Sequence, residues 1–152
     1  MDVIVSDHHD FTAEIQVPIG KKHSTTVSIT PKLDMEELLK ESDFISIHVP
    51  KQADGSAVIT SKEFSQMKKG VRIVNAARGG VINEADLLNA LNSGQVAAAA
   101  LDVYENEPSP MKELLNHPNI ACTPHIGAAT LEAQDRIGEE LASLIIGQFT
   151  TK

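Results

Sequence analysis

Short apolar runs, each stopped by a polar or turn residue and separated by a helix-like stretch, recur along the chain, and this rhythm restricts its fold more than any other feature. Val3-Ile4-Val5 ends at Asp7, Phe44 to His48 ends at Val49-Pro50, and Val71 to Val74 ends at Asn75. Val96 to Leu101 ends at Asp102, and Asn119 to Thr123 ends at Pro124. Runs this short and rich in Val, Ile and Ala are expected as strands buried on both faces. Helix signals fill the gaps. Asp34 with Glu37 opens Met35 to Lys40 as a capping box, and Thr60 with Glu63 is a second one, with Gly70 just past its end. Asn83 caps Glu84 to Ser93, whose Leu87, Leu88 and Leu91 share a face, and Gly94 marks the stop. Thr130 caps a long final helix carrying Ile137, Leu141, Leu144 and Ile145. Strand–helix–strand alternation at this spacing predicts a parallel sheet with helices on its faces. Residues 11–31 break the rhythm. Ala13 to Val17 and Thr25 to Ile29 read as two strands of a β-hairpin insertion, joined by Pro18 to Lys22.

Composition narrows the partners. With 13 basic and 21 acidic residues the formal charge is −8, so a nucleic acid or an anionic membrane, each of which needs a basic face, is not expected. The single cysteine, Cys122, excludes an internal disulfide and an all-cysteine metal site. It lies inside an apolar run and reads as a small core residue. No apolar run approaches the roughly 20 residues of a membrane helix, and Met1 to Val5 lacks the basic flank and cleavage site of a signal peptide. The expectation is a reduced, cytoplasmic protein.

In open α/β sheets ligands bind beyond the carboxyl ends of the strands. The residues there are Asp7, His48-Val49-Pro50, Asn75 to Gly80, Asp102 to Pro108 and Thr123 to Gly127. They gather an arginine, several carboxylates and two histidines. A metal site is not expected, because His8, His9 and Asp10 have no second cluster at ligand spacing.

Three of these segments are specific: Asn75-Ala76-Ala77-Arg78-Gly79-Gly80-Val81-Ile82, Ala100-Leu101-Asp102-Val103-Tyr104-Glu105-Asn106-Glu107-Pro108 and Thr123-Pro124-His125-Ile126-Gly127-Ala128-Ala129-Thr130. Their order and spacing resemble the signature of the D-isomer-specific 2-hydroxyacid dehydrogenases. Glu132-Ala133-Gln134 after the last motif is similar to the D-3-phosphoglycerate dehydrogenase branch. The resemblance runs from about Leu33 to Phe149 and more weakly over residues 1–7. It implies a cytoplasmic oxidoreductase of serine biosynthesis that uses NAD and a small-molecule 2-hydroxy acid.

The resemblance also implies roles. Arg78 corresponds to the arginine that holds the substrate carboxylate, for which a guanidinium offers two parallel hydrogen bonds. His125 corresponds to the general acid–base, since imidazole titrates near neutrality. Glu107 corresponds to the carboxylate paired with it, with Glu105 as a nearby competitor. Asn75, Ala76, Ala77, Asp102 and Gly127 match cofactor-binding positions, Asp102 at the nicotinamide end. His48, Val49 and Pro50 match the wall of the adenine pocket. Asp7, ending a strand, matches the acid that binds adenosine ribose hydroxyls and disfavours a 2′-phosphate.

The chain departs from the family in one respect. No G-x-G-x-x-G occurs in it, although that turn normally holds the pyrophosphate. The expected fold is therefore a partial Rossmann-like doubly wound α/β sheet lacking its first strand and glycine-rich loop. Residues 1–128 would form the C-terminal part of an NAD-binding domain, and 129–152 a helix returning toward an absent substrate domain. A sheet without its central strand has a bare edge that tends to pair with another chain. The expectation is a homo-oligomer, association with the missing half, or displacement of residues 1 to about 30. Such a portion is expected to be inactive alone. The alternative is a non-catalytic module that binds partner chains through the exposed sheet edge.

Overall fold

The structure, a computed structural model, describes residues 3–7, 12–19, 23–29 and 34–150. Two strands, β1 (Ala13–Ile19) and β2 (His23–Ile29), pair antiparallel as the expected hairpin, in a two-stranded sheet of their own. Its strands run two residues further inward than the apolar pattern suggested, and its turn lies outside the described residues. Helix α1 (Met35–Glu41) then leads into β3 (Phe44–Ile47), α2 (Ser61–Gln66), β4 (Val71–Asn75), α3 (Glu84–Asn92), β5 (Val96–Leu101), α4 (Lys112–Leu115), β6 (Ile120–Cys122) and α5 (Leu131–Thr150). The four later strands form one parallel sheet in the order β3-β4-β5-β6.

The helices start where the capping residues stand. Asp34 accepts from the Glu36 and Glu37 amides, and Thr60 and Glu63 form both halves of a capping box. Asn83 accepts from the Asp86 amide and Thr130 from that of Ala133. Gly70 and Gly94 have φ of 83° and 72°, the left-handed conformation that closes the segments following α2 and α3.

One face of the sheet is covered. Ile45, Ile47, Val71, Ile73, Val96, Ala99 and Leu101 pack with Leu39, Phe64, Leu87, Leu91 and Leu114 of the helices in one core. The opposite face is not, which corrects the expectation of strands buried on both sides. Register places Phe44, Arg72 and Ala98 in one row and Ser46, Val74, Ala100 and Ala121 in the next. Phe44 is 71 % and Val74 44 % exposed. The strands therefore alternate buried and exposed, because the described helices α1 to α4 contribute their apolar residues to one side only. Val3-Ile4-Val5 is also not a strand: residues 3–7 stand outside the four-stranded sheet, with a single bridge at Val5. Three apolar residues have no ladder of their own, and the sheet offers them no neighbouring strand.

Helix α5 is amphipathic in pattern but exposed in place. Among its described side chains Ala133 is buried, whereas Ile137, Leu141, Leu144, Ile145 and Ile146 are half exposed or more. No helix among the described residues is long and apolar enough to cross a membrane.

Candidate functional site

Because β3 to β6 are parallel and adjacent, the segments that leave their carboxyl ends lie along one rim. The Asn75 carbonyl accepts from the Asp102 amide at 3.0 Å, and the Leu101 carbonyl accepts from the Thr123 amide at 3.0 Å. Three of the motif-bearing loops are thus stitched side by side at their roots.

The interior polar groups concentrate here. Among the described residues, the buried polar or charged ones are Asn75, Glu84 and Asp102, at 3 %, 4 % and 8 % exposure. A buried polar group is costly unless it is bonded, so what each one holds shows what the rim is built to fix. Asn75 holds the arginine loop: its Oδ1 accepts from the Ala77 amide at 3.1 Å and its Nδ2 donates to the Arg78 carbonyl at 3.2 Å. Asp102 holds the histidine turn. Its Oδ1 accepts from the Thr123 hydroxyl and from the Ile126 amide at 2.9 Å, and its Oδ2 accepts from the Gly127 amide at 2.8 Å. Burial works to raise the Asp102 carboxyl, but these three donors outweigh it and keep the group below the usual carboxylate range. Glu84 holds the loop after β5, accepting from the Glu105 amide at 2.7 Å.

That loop presents Glu107 to His125. Glu107 Oε1 accepts from the Tyr104 amide at 2.9 Å, and Oε2 lies 2.8 Å from His125 Nδ1. The bond to His125, and then that to Tyr104, hold the Glu107 carboxyl below its ordinary range. His125 has a φ of 55°, a left-handed backbone that non-glycine residues seldom adopt. The Asp102 bonds on its carboxyl side sustain it, and strain of this kind concentrates at functional sites. With Nδ1 turned to the carboxylate, Nε2 of a half-exposed imidazole is left to meet a ligand. The two candidate carboxylates are therefore distinguished by geometry. Glu107 meets the histidine, whereas Glu105 Oε1 accepts from the Glu84 amide at the start of α3.

The arginine loop leans on the same segment. A Cβ added at Gly79 would lie 1.8 Å from the Tyr104 carbonyl oxygen, so only glycine fits where the two loops touch. This close approach brings the residue after Arg78 against the residue whose amide holds Glu107. Arg78 itself is exposed, and its Nη1 donates to the Ala77 carbonyl at 2.6 Å. A Cβ at Gly127 would come 3.1 Å from Asp102 Oδ2, another tight fit of backbone onto carboxylate.

The remaining expected residues are less anchored. Ala76 is exposed and Ala77 half-buried beside Arg78. His48 and Pro50 are exposed just beyond β3, with His48 Nε2 2.8 Å from Ser46 Oγ, while Val49 packs against the core. Asp7 is exposed, and no strand of this sheet carries it to the rim. His8, His9 and Asp10 lie outside the described residues.

Sequence reasoning passed over Tyr104, Thr123 and Glu84. The Tyr104 hydroxyl is shared between the Leu101 and Thr123 carbonyls at 3.0 and 2.9 Å, tying the ends of β5 and β6 together. Burial, and then the neighbouring Cys122 thiol, push that hydroxyl well above its ordinary range, so it acts as a neutral donor. The signal that could have found Thr123 is its place immediately before the motif histidine's proline. Nothing in spacing flags Glu84.

The site's small residues and donor set fit a dinucleotide's reactive end. Arg78 and His125 are exposed polar groups on the loops after β4 and β6, and Ala76, Ala77 and Gly127 are the small residues next to them in the chain.

The chain is similar to known proteins. Residues 8–127 match the family model described as D-isomer specific 2-hydroxyacid dehydrogenase, NAD binding domain. The chain is 48 % identical over 111 residues to D-3-phosphoglycerate dehydrogenase of Homo sapiens, covering 73 % of this chain and 21 % of that one. It is 49 % identical over 115 residues to D-3-phosphoglycerate dehydrogenase of Archaeoglobus fulgidus, covering 75 % and 22 % respectively. Among solved structures it is similar to the holo D-mandelate dehydrogenase of Rhodotorula graminis, with a TM-score of 0.69, 38 % identity, and coverage of 80 % of this chain and 35 % of that one. The chain thus spans about a fifth of the length of the curated relatives it matches.

Proposed function

Because the chain belongs to the D-isomer specific 2-hydroxyacid dehydrogenase family, in its NAD-binding domain, we propose that it forms the reacting half of an NAD-dependent enzyme that oxidises and reduces a 2-hydroxy acid, in the manner of a D-3-phosphoglycerate dehydrogenase. The observation that carries the reading is the 2.8 Å pairing of His125 Nδ1 with Glu107 Oε2 at the rim.

The roles follow from chemistry. Arg78 would grip the substrate carboxylate and so orient the carbon that bears the hydroxyl. His125 would take the hydroxyl proton at Nε2 during oxidation and return it during reduction. Glu107 favours the imidazolium that forms and fixes the ring's orientation. NAD, when bound, supplies the hydride acceptor. Asp102 and Gly127 would shape the nicotinamide end, and Asn75, Ala76 and Ala77 the wall beside it. His48, Val49 and Pro50 would flank the adenine, and Asp7 would meet ribose hydroxyls. No glycine-rich turn in this sequence is available for the pyrophosphate, so we assign the chain the reactive end of the cofactor and infer that it does not turn over alone.

Two assays test this. The 152-residue chain, given NAD and 3-phosphoglycerate, is expected to form no NADH; robust turnover would refute the half-enzyme reading. In an active enzyme containing this chain, His125→Asn is expected to lower kcat by about 10²–10⁴-fold. A variant that keeps its rate would remove His125 from the chemistry.

A second reading has one observation in its favour. The uncovered sheet face at Phe44 and Val74, with the exposed apolar residues of α5, suits a module that associates with other chains. Gel filtration separates the two, since a well-behaved monomer speaks against association.

A further inference from the structure

We propose that Glu84 is a positioning residue: through reciprocal hydrogen bonds with Glu105 it sets the loop after β5 so that Glu107 meets His125. Its functional meaning rests on the reading of that pair as the acid–base machinery.

Glu84 is the first residue of α3, and Glu105 lies 21 positions further along the chain. The Glu84 amide donates to Glu105 Oε1 at 2.9 Å, and the Glu105 amide donates to Glu84 Oε1 at 2.7 Å. The two halves serve different masters. The bond accepted by Glu105 satisfies an otherwise unpaired donor at the start of α3, which any capping acceptor could do. The bond accepted by Glu84 does nothing for the helix; it holds the backbone of the loop. The preceding amide in that loop, on Tyr104, donates to Glu107 Oε1, and Glu107 Oε2 reaches His125 Nδ1. Hydrogen bonds at two successive backbone amides, Tyr104 and Glu105, therefore tie a buried side chain on α3 and the partner of the exposed imidazole to one stretch of loop.

The placement of Glu84 is costly in itself. Its Oε2 is buried with no hydrogen-bond partner, and the side chain is 4 % exposed beside two further carboxylates, Glu105 and Glu107. Burial, the largest influence, and the negative charges of those neighbours raise its carboxyl above the ordinary range. A leucine there would bury more apolar surface without an orphaned oxygen, but it would leave the Glu105 amide without its acceptor. The acceptor oxygen facing the Glu105 amide is what a leucine could not supply.

The test uses the isotope-labelled 152-residue chain, followed by amide hydrogen exchange and by the imidazole nitrogen resonances of His125. Glu107→Ala provides the reference for a broken pair. In Glu84→Ala, exchange at the Tyr104 and Glu105 amides is expected to quicken about tenfold relative to β4 amides, with the His125 resonances moving toward those of Glu107→Ala. Glu84→Gln keeps an acceptor oxygen and no charge, and is expected to match the parent chain in both readouts. The proposal is overturned if Glu84→Ala leaves these signals in place, or if Glu84→Gln disturbs them as much as alanine does. Should Glu84→Ala not fold, Glu84→Asp keeps a polar side chain but draws the carboxyl back by one methylene from the Glu105 amide. It is expected to shift the same resonances in the same direction, and their constancy would equally overturn the proposal. None of these readouts requires turnover, so the clamp can fail while His125 remains the acid–base group, and the reverse.

Discussion

The two ends of the rim are built differently. Around the ends of β4, β5 and β6, Asn75, Glu84 and Asp102 are buried, and each holds loop backbone with at least one side-chain oxygen. At the end of β3, His48 and Pro50 are exposed, and Asp7 stands on a segment outside the sheet. The half read as acid–base machinery is thus pre-organised by this chain alone. The half read as the adenosine wall consists of side chains whose backbone lacks comparable bracing by buried polar residues. Pre-organisation matters most where a proton moves, because a small misplacement there costs rate directly. A wall for an adenine ring can form against its ligand.

The contrast breaks first at Gly79. Its missing Cβ leaves space for the Tyr104 carbonyl, and backbone cannot swing aside as a lysine tip can. Gly79→Ala is expected to cost about 3 kcal/mol, the upper range of overpacking, and to separate the Arg78 loop from the Glu107 loop. Urea unfolding gives the first quantity and the exchange rate of the Tyr104 amide the second. An unchanged midpoint would mean that the two loops are not locked together.

Asp102→Asn comes next. The amide keeps one acceptor oxygen but turns a donor toward either the Gly127 amide or the pair of donors on Oδ1. A loss of about 2 kcal/mol is expected. With it the His125 turn should lose its left-handed conformation, which backbone chemical shifts at His125 and Ile126 would report.

How much of this could be read in the sequence depended on how local the cause was. Caps at Asp34, Thr60, Asn83 and Thr130 were legible because a side chain and the amide it meets lie within a few residues. The rim was legible because each motif follows an apolar run. The Glu84–Glu105 exchange was not, since two like-charged residues 21 apart carry no attraction in the one-dimensional pattern. Glu107 is favoured over Glu105 by its place in the motif before Pro108, and the loop's shape sets it 2.8 Å from His125 Nδ1. One-sided burial of the sheet escaped too: Ala98, Ala100 and Val74 are apolar whether or not a helix covers them, so composition reads as burial that the packing does not supply.

A pH series tests the braced half more gently. Asp102 and Glu107 titrate below their ordinary values of 3.8 and 4.5, so the stability they contribute is present above those values and is lost as pH falls through their lower folded ones. Glu84 behaves oppositely. Its folded value is raised from 4.5, so its contribution is complete below that pH and is lost as pH rises through the folded value. Thermal unfolding of Glu84→Gln should therefore gain on the parent chain as pH rises above 4.5, with no such gain on the acid side. A constant difference would mean that Glu84 is not the group that titrates.

The smallest effect belongs to the other half, and it is the one that decides whether the contrast is real. His48 is exposed and its one described hydrogen bond, 2.8 Å to the Ser46 hydroxyl, joins two side chains at the surface. Surface substitutions away from caps and buried networks shift stability by no more than about 0.5 kcal/mol. His48→Ala should therefore leave unfolding unchanged within that range, and the Tyr104 and Ile126 amides should exchange as before. If instead it loosened those amides, the rim would be a single mechanical unit, and the adenosine wall would share the bracing that the buried Asn75, Glu84 and Asp102 give the other half.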